Sequence, residues 1–206
     1  MQRLIDPGGT WASPPPSLRP SFTGFLVWRD IEHKVSILYP REWTVADGDP
    51  TFLHTPEGAP YRATVTLRAS RLPAAVEPGD LEALRDALSG GVASIRGALI
   101  ERVDAESVAS LIDIEIEHTY DADQPVDGAE HVRWRRWLRA MYQRDVQFSI
   151  SAEALDGESF DYWRPAFTSL MRMAVFADWT AEVTGRSWEP LDAEGIEIGP
   201  DGDDSV

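Results

Sequence analysis

The sequence predicts an α+β fold in which an antiparallel β-sheet of about six or seven strands carries two main helices. Three observations lead to this prediction. Several short stretches alternate between apolar and polar residues, which is typical of strands with one buried face. Two longer stretches carry apolar residues at helical spacing. Short turn sequences separate most of the strand-like stretches, so sequence neighbours are expected to pair in antiparallel fashion.

The first half of the chain supplies mainly short strands. Each apolar–polar run is bounded by proline, glycine or acidic turn residues, which are typical strand ends. The predicted strands cover residues 24–30, 33–40, 43–45, 51–55 and 61–72.

Apolar residues at helical spacing predict a first helix over 80–99 and a second over 159–176. Gly90-Gly91 lies inside the first helix, and two interior glycines cost about 2 kcal/mol relative to alanine. We therefore expect a kink or a break at that point. Pro165 is expected to bend the second helix or to mark a later start.

The strand patterns between the helices carry complementary charge. Residues 101–121 form either a hairpin or one bent strand, and strands over 131–143 and 145–153 follow. One face of the first pattern is acidic, and one face of the second is rich in arginine. This is what antiparallel cross-strand pairing predicts. These pairs are expected to be exposed and to contribute only about 0.2–1 kcal/mol each, so the pattern indicates register more than stability.

Composition divides the chain into three parts. Residues 1–23 form a proline-rich N-terminal arm, residues 24–177 form the α+β domain, and residues 178–206 form an acidic C-terminal tail. The tail contains nine acidic residues and one basic residue, so it holds half of the net charge of −16. Proline-rich segments favour extended conformations and resist packing as helix or strand.

Charge and hydropathy exclude several classes of protein. With 35 acidic and 19 basic residues, the chain is not expected to bind nucleic acid or an anionic membrane surface. No stretch resembles a secretory signal or a membrane span, so no membrane insertion and a cytoplasmic location are expected. The chain has no cysteine, which excludes disulfides, thiolate metal sites and a cysteine nucleophile.

Four stretches follow one another in a recognisable order: VSILYPREW (35–43), the leucine-rich helix 81–99, the run from 111 to 152, and FTSLMRM (167–173) in the closing helix. This order resembles the PsbP and Ran-binding Mog-like superfamily, including its bacterial DcrB-like and Eag-type chaperone relatives. The resemblance implies an α/β/α sandwich and a non-catalytic protein that binds other proteins. It assigns no functional residue to this chain.

Residues that could carry metal or catalytic chemistry form no complete site. His118 and His131 could approach Asp121 or Asp123 and bind a metal, but ordinary structural histidines fit the same spacing. The loop 121–128 lacks the spacing of a calcium-binding loop. No motif of a nucleophile with its base is present. The sequence therefore predicts no cofactor, no metal, no catalytic residue and no enzyme activity.

The leading prediction is a non-catalytic adaptor or accessory subunit that binds a protein partner. The alternatives are a chaperone or carrier that holds an apolar segment between sheet and helix, and a small-molecule enzyme. A homo-oligomer is also compatible with the sequence. Predicted contact residues are arginines and tryptophans of one sheet face and of the two extensions: Arg133, Arg135, Trp137, Arg139, Trp11 and Trp188. Pairing with the acidic stripe is the alternative for the arginines, and docking on the chain's own domain is the alternative for Trp11 and Trp188.

A test of the arginine face follows from the sequence alone. We expect that changing Arg135 and Arg139 to Glu weakens partner binding and leaves the melting temperature almost unchanged. A large loss of stability would instead identify the arginines as structural.

Overall fold

The structure is a computed structural model that describes residues 20–122 and 132–185. Trp11, His131 and Trp188 therefore lie outside the described residues. The elements in chain order are β1 (Phe25–Asp30), β2 (Val35–Pro40), β3 (Thr44–Ala46), β4 (Thr51–His54), β5 (Ala63–Val76), a 3₁₀ turn (Pro78–Asp80), α1 (Leu81–Ala93), β6 (Leu99–Val108), β7 (Leu111–Asp121), β8 (Arg133–Leu155), α2 (Glu158–Arg172), β9 (Val175–Phe176) and α3 (Ala177–Thr184).

The described strands form two antiparallel sheets. The large sheet has the order β3-β4-β5-β8-β7-β6, and the small sheet has the order β1-β2-β9. Each pairing within them is antiparallel. The predicted α+β class and antiparallel sheet are thus confirmed, and the β1–β2 hairpin forms a sheet separate from the large one.

Strand β8 doubles back on itself at Arg144. The amide of Asp156 donates to the carbonyl of Arg133 at 3.0 Å, although a straight strand of this length would separate its ends by tens of ångströms. Its arm 133–143 pairs with β7 and its arm 145–155 pairs with β5. Arg144 has φ 54°, a left-handed conformation of the kind that tight turns require. The two strands predicted over 131–143 and 145–153 are these two arms.

Helices cover both faces of the large sheet. On one face α1 packs on a cluster built mainly from the isoleucines of β7, with Val92 as its own buried residue. On the other face α2 buries Phe160, Trp163, Phe167 and Leu170 against β5, β8 and the small sheet. The result is the predicted sandwich of sheet and helices.

Helix α1 ends at Ala93, six residues before the predicted end, and runs through Gly90-Gly91 without a break. Leu99 continues the helical spacing but begins β6 instead. Two glycines weaken the last turn, and Gly97 reverses the chain with a φ of 65°. Pairing of β6 with β7 then overrides the local helical pattern.

Two further expectations concern boundaries. Residues 101–121 form the hairpin β6–β7 and not one bent strand. The predicted start of the acidic tail falls inside α3, which is held by a bond from the Ala177 amide to the Lys34 carbonyl (3.0 Å) and by one from Trp179 Nε1 to the Val108 carbonyl (3.0 Å).

Candidate functional site

Alternate residues of β7 and β8 point toward α2 and form a polar layer between sheet and helix. We call it the carboxylate–arginine layer. The layer joins acids of β7 to arginines of β6, β8 and α2 and to an indole of β8. Its members are Arg102, Asp113, Glu115, Glu117, Arg135, Trp137, Arg139, Arg164 and Arg172. The complementary stripes predicted from the sequence are therefore neighbours in the sheet.

Arg139 is the most enclosed cation of the layer, with 8% of its surface exposed. Its Nε and Nη2 atoms donate to the two carboxylate oxygens of Asp113 at 2.9 and 2.6 Å. Its Nη1 also donates to the carbonyl of Met171 in the last turn of α2. A guanidinium at a helix C-terminus satisfies a carbonyl that has no partner within the helix. Arg139 therefore ties α2 to the sheet.

Glu117 is held by two arginines from different elements. Arg164 of α2 donates to it at 2.9 Å, and Arg135 of β8 donates at 3.0 Å. Burial alone would raise the pKa of Glu117, but the hydrogen bonds and charges of Arg164 and then Arg135 outweigh burial, so this pKa lies below its ordinary value. Arg135 also binds Asp156 at 2.7 Å, which closes the network toward the β8–α2 turn.

Trp137 is also part of this network. Its indole Nε1 donates to Glu115 at 3.1 Å, and the guanidinium of Arg102 lies 5.3 Å from the ring centre. Arg172, at the end of α2, approaches the same Glu115 at 3.3 Å. The exposed side chain of Arg172 therefore marks the point where the layer meets the surface.

The structure brings together Arg135, Trp137 and Arg139 as the sequence predicted, but places all three beneath α2. They pair with β7 carboxylates, which is the alternative that the sequence left open. Arg133 lies at the exposed end of the stripe, where it donates to Thr119 at 2.6 Å. The expectation that the charged pairs lie on an exposed sheet face is wrong, because α2 covers that face.

A cleft of about 380 Å³ opens beside the layer, along β6 and the end of α2. We call it the acidic cleft. Its lining residues are Asp104, Ala105, Glu106, Asp113, Glu115 and Arg172. Four of these six are acids, and two of them, Asp104 and Glu106, were not singled out by reasoning from the sequence. The hairpin register could have identified them, because the turn at 109–110 places both opposite acids of β7.

A second cleft, of about 300 Å³, lies on the other side of Arg172, between α2 and the small sheet. We call it the apolar groove. Its lining residues are Phe25, Leu38, Thr168, Ser169, Arg172 and Met173. Met173 is 49% exposed, so it is a large apolar side chain at the surface. The two clefts together form one surface with an acidic and an apolar half, joined at Arg172.

The opposite sheet face holds His118 and Tyr120. Neither ring nitrogen of the buried His118 has a hydrogen-bond partner in the described part of the chain, and burial, together with the charge of Arg136, lowers its pKa to about 4. Burial and the carboxylate of Glu153 raise the pKa of Tyr120 to about 12. At neutral pH both groups are therefore uncharged and far from the pKa of an efficient acid or base.

Residues 20–122 and 132–185 contain no group of three or more histidine or acidic side chains arranged to hold a metal ion. None of their helices combines the length and hydrophobicity that crossing a bilayer requires.

Comparison by sequence finds no matching protein family and no matching curated protein. Comparison of structures finds proteins of similar fold. LpqN, described as involved in cell envelope biogenesis of Mycobacterium tuberculosis, matches with a TM-score of 0.52 and 12% identity over 68% of this chain and 82% of its own. Cyanobacterial PsbP (CyanoP) from Synechocystis sp. PCC 6803 matches with a TM-score of 0.50 and 10% identity over 76% of this chain and 94% of its own. The chain has a PsbP-like fold.

The PsbP-like fold confirms the resemblance that the sequence suggested. At 10–12% identity the likeness concerns the fold alone. The function of this PsbP-like domain therefore depends on the chemistry of its own surface.

Proposed function

We propose that the chain is a non-catalytic protein-binding module that contacts its partner through the acidic cleft and the apolar groove on either side of Arg172. The observation that carries this proposal is the juxtaposition of the two clefts. An apolar patch bordered by polar and charged side chains is typical of protein interfaces. It fits a segment that places an apolar side chain near Met173 and a basic one near Glu106.

A non-catalytic role is supported by how the ionisable groups are used. The acids and arginines of the carboxylate–arginine layer satisfy one another, so none is held ready to exchange a proton with a substrate. His118 and Tyr120 have pKa values of about 4 and about 12, both far from neutrality. The cytoplasmic location expected from the sequence remains a proposal, which cell fractionation tests.

The experiment is site-specific photo-crosslinking. A photoreactive phenylalanine at Thr168, in the apolar groove, is expected to capture the partner. The same group at Asp86, on the exposed side of α1, is the control. Met173→Asp should abolish capture from Thr168, whereas Val183→Asp, at a similarly exposed apolar residue, should not. Equal capture from Thr168 and Asp86, or equal loss in both aspartate variants, would contradict the proposal.

A carrier for apolar segments is the second candidate, favoured by the apolar groove alone. Its volume of about 300 Å³ lies at the lower end of ligand sites. Salt distinguishes the two functions. An adaptor that uses the acidic cleft should lose affinity as ionic strength rises, whereas a carrier of apolar segments should not. The affinity for the partner identified by crosslinking, measured at about 50 mM and about 500 mM salt, separates the two functions.

A further inference from the structure

Strand β6 is the last strand of the large sheet in the described part of the chain. It is ten residues long and pairs only with β7 on one side in that part. An edge strand presents backbone N–H and C=O groups that another extended chain can pair with. The opposite edge, β3, is only three residues long. The β6 edge is therefore the longer of the two templates for an added strand.

Charge on the α2 side of the sheet is arranged in columns that follow the strands. Strand β8 carries Arg135 and Arg139, and the next strand, β7, carries the acids that pair with them. Beyond β7 the alternation holds at Arg102, which lies opposite Glu117, and fails at the next two positions of this face of β6, which place further acids opposite those of β7. The like-charged cross-strand pairs are Asp104–Glu115 and Glu106–Asp113.

Like charges directly opposite each other destabilise a sheet. Asp113 and Glu115 are relieved by arginines on their other side, and Asp104 lies 3.2 Å from Arg102. Glu106 is exposed and makes no ion pair among residues 20–122 and 132–185. The column that would restore the alternation is a column of cations on a strand beyond β6.

We propose that an extended segment of another protein adds to the β6 edge as a further strand and places lysine or arginine side chains opposite Asp104 and Glu106. The segment is basic at alternate positions, because successive side chains of a strand point to opposite faces. This inference rests on the proposed protein-binding function and names the chemistry of its partner.

The chain itself does not supply such a segment. Residues 1–19, 123–131 and 186–206 contain three arginines in all, which are Arg3, Arg19 and Arg186, and no lysine. A second copy is also a poor match, since its β6 brings three acids and one arginine to an edge that is already acidic. Two chains that each carry a net charge of −16 repel each other as they approach.

The test uses a fluorescent ten-residue peptide that alternates lysine with threonine. Its binding is followed by anisotropy, and backbone hydrogen exchange reports on β6. Asp104→Asn with Glu106→Gln should weaken binding by about 2-fold to 30-fold, from two exposed pairs. The control is Glu32→Gln with Glu57→Gln, which makes the same change in net charge at exposed turns and should leave binding unchanged. Addition of a strand also predicts that amides of β6 gain protection in the bound state.

Three results would overturn the inference. The first is equal peptide binding by the two double variants. The second is peptide binding without new protection of the β6 amides. The third is β6 protection that depends on protein concentration in the absence of peptide, which would indicate that a second copy occupies the edge. If capture from Thr168 persists in any of these cases, the protein-binding function stands and only strand addition fails. If capture from Thr168 also fails, the broader proposal fails with it.

Discussion

Replacement of Arg139 by leucine tests whether the carboxylate–arginine layer is structural. The change removes the two bonds to Asp113 and the bond to the Met171 carbonyl. It leaves a carboxylate that is 8% exposed without its main counter-ion. Breaking a buried ion pair by removing one partner costs about 3–5 kcal/mol. Native domains have total stabilities of about 5–15 kcal/mol, so this loss is a large fraction.

The assay is thermal unfolding at neutral pH, supported by denaturant titration. For a chain of this size about 1 kcal/mol lowers the melting temperature by 2–4 °C, so Arg139→Leu should lower it by about 6–20 °C. The matched control is Arg68→Leu, which removes an exposed arginine that lies 3.2 Å from Asp49. An exposed pair contributes about 0–1 kcal/mol, so the control should melt close to the parent.

A second variant separates loss of the pair from a failure to fold. Adding Asp113→Leu to Arg139→Leu removes the uncompensated charge, and the double variant should recover most of the lost stability. Equal melting temperatures for Arg139→Leu and Arg68→Leu would refute the structural role. The sequence alone led to the opposite expectation, that Arg135 and Arg139 could be reversed in charge at little cost.

Three further predictions concern His118, the two acids of β6, and the glycines in and after α1. In the folded protein His118 stays neutral down to a pKa of about 4, whereas in the unfolded chain it has its ordinary pKa of 6.5. The unfolded chain therefore binds more protons between these values, and stability falls from pH 6.5 toward pH 4 by up to about 3 kcal/mol. His118→Leu should remove this pH dependence in unfolding titrations. Asp104→Lys with Glu106→Lys should raise the free energy of unfolding by about 0.4–2 kcal/mol, because both cations then face acids of β7. An unchanged denaturant midpoint would contradict the proposed arrangement of charges on β6 and β7. Gly97→Ala should destabilise the fold by more than about 1 kcal/mol, because φ is 65° and a Cβ would collide with the carboxylate of Asp121 at the end of β7. Gly90→Ala should instead stabilise the fold by about 0.5–1 kcal/mol, because Gly90 lies in a helix with open space around it.

The sheet was predictable from the sequence because apolar and polar residues alternate regularly along its strands. Alternation over 111–120 and over 132–142 placed acids and arginines on facing strands, and the register confirms it. Helix lengths were less predictable, because spacing alone cannot distinguish the end of α1 from the start of β6. Leu99 fits the helical stripe, yet its backbone pairs with Thr119.

The burial of the arginine face could not be predicted from the stripes alone. An arginine stripe appears the same in sequence whether solvent or a helix lies above it. The arginine face is buried because α2 lies over it, and Arg139 bonds to the last turn of that helix. The apolar groove could not be predicted either, because Phe25 and Met173, which both line it, lie 148 positions apart in the sequence and neither belongs to a recognisable motif.

The most direct test of the proposed contact surface compares two charge reversals in the same binding and melting experiments. Asp104→Lys with Glu106→Lys should abolish binding of the alternating lysine peptide while the melting temperature is kept or raised. Arg139→Glu should lower the melting temperature by at least the 6–20 °C expected for Arg139→Leu, by the scaling of about 2–4 °C for each kcal/mol. Retained peptide binding in the first variant, with an unchanged melting temperature in the second, would contradict both the surface and the structural role of the layer beneath α2.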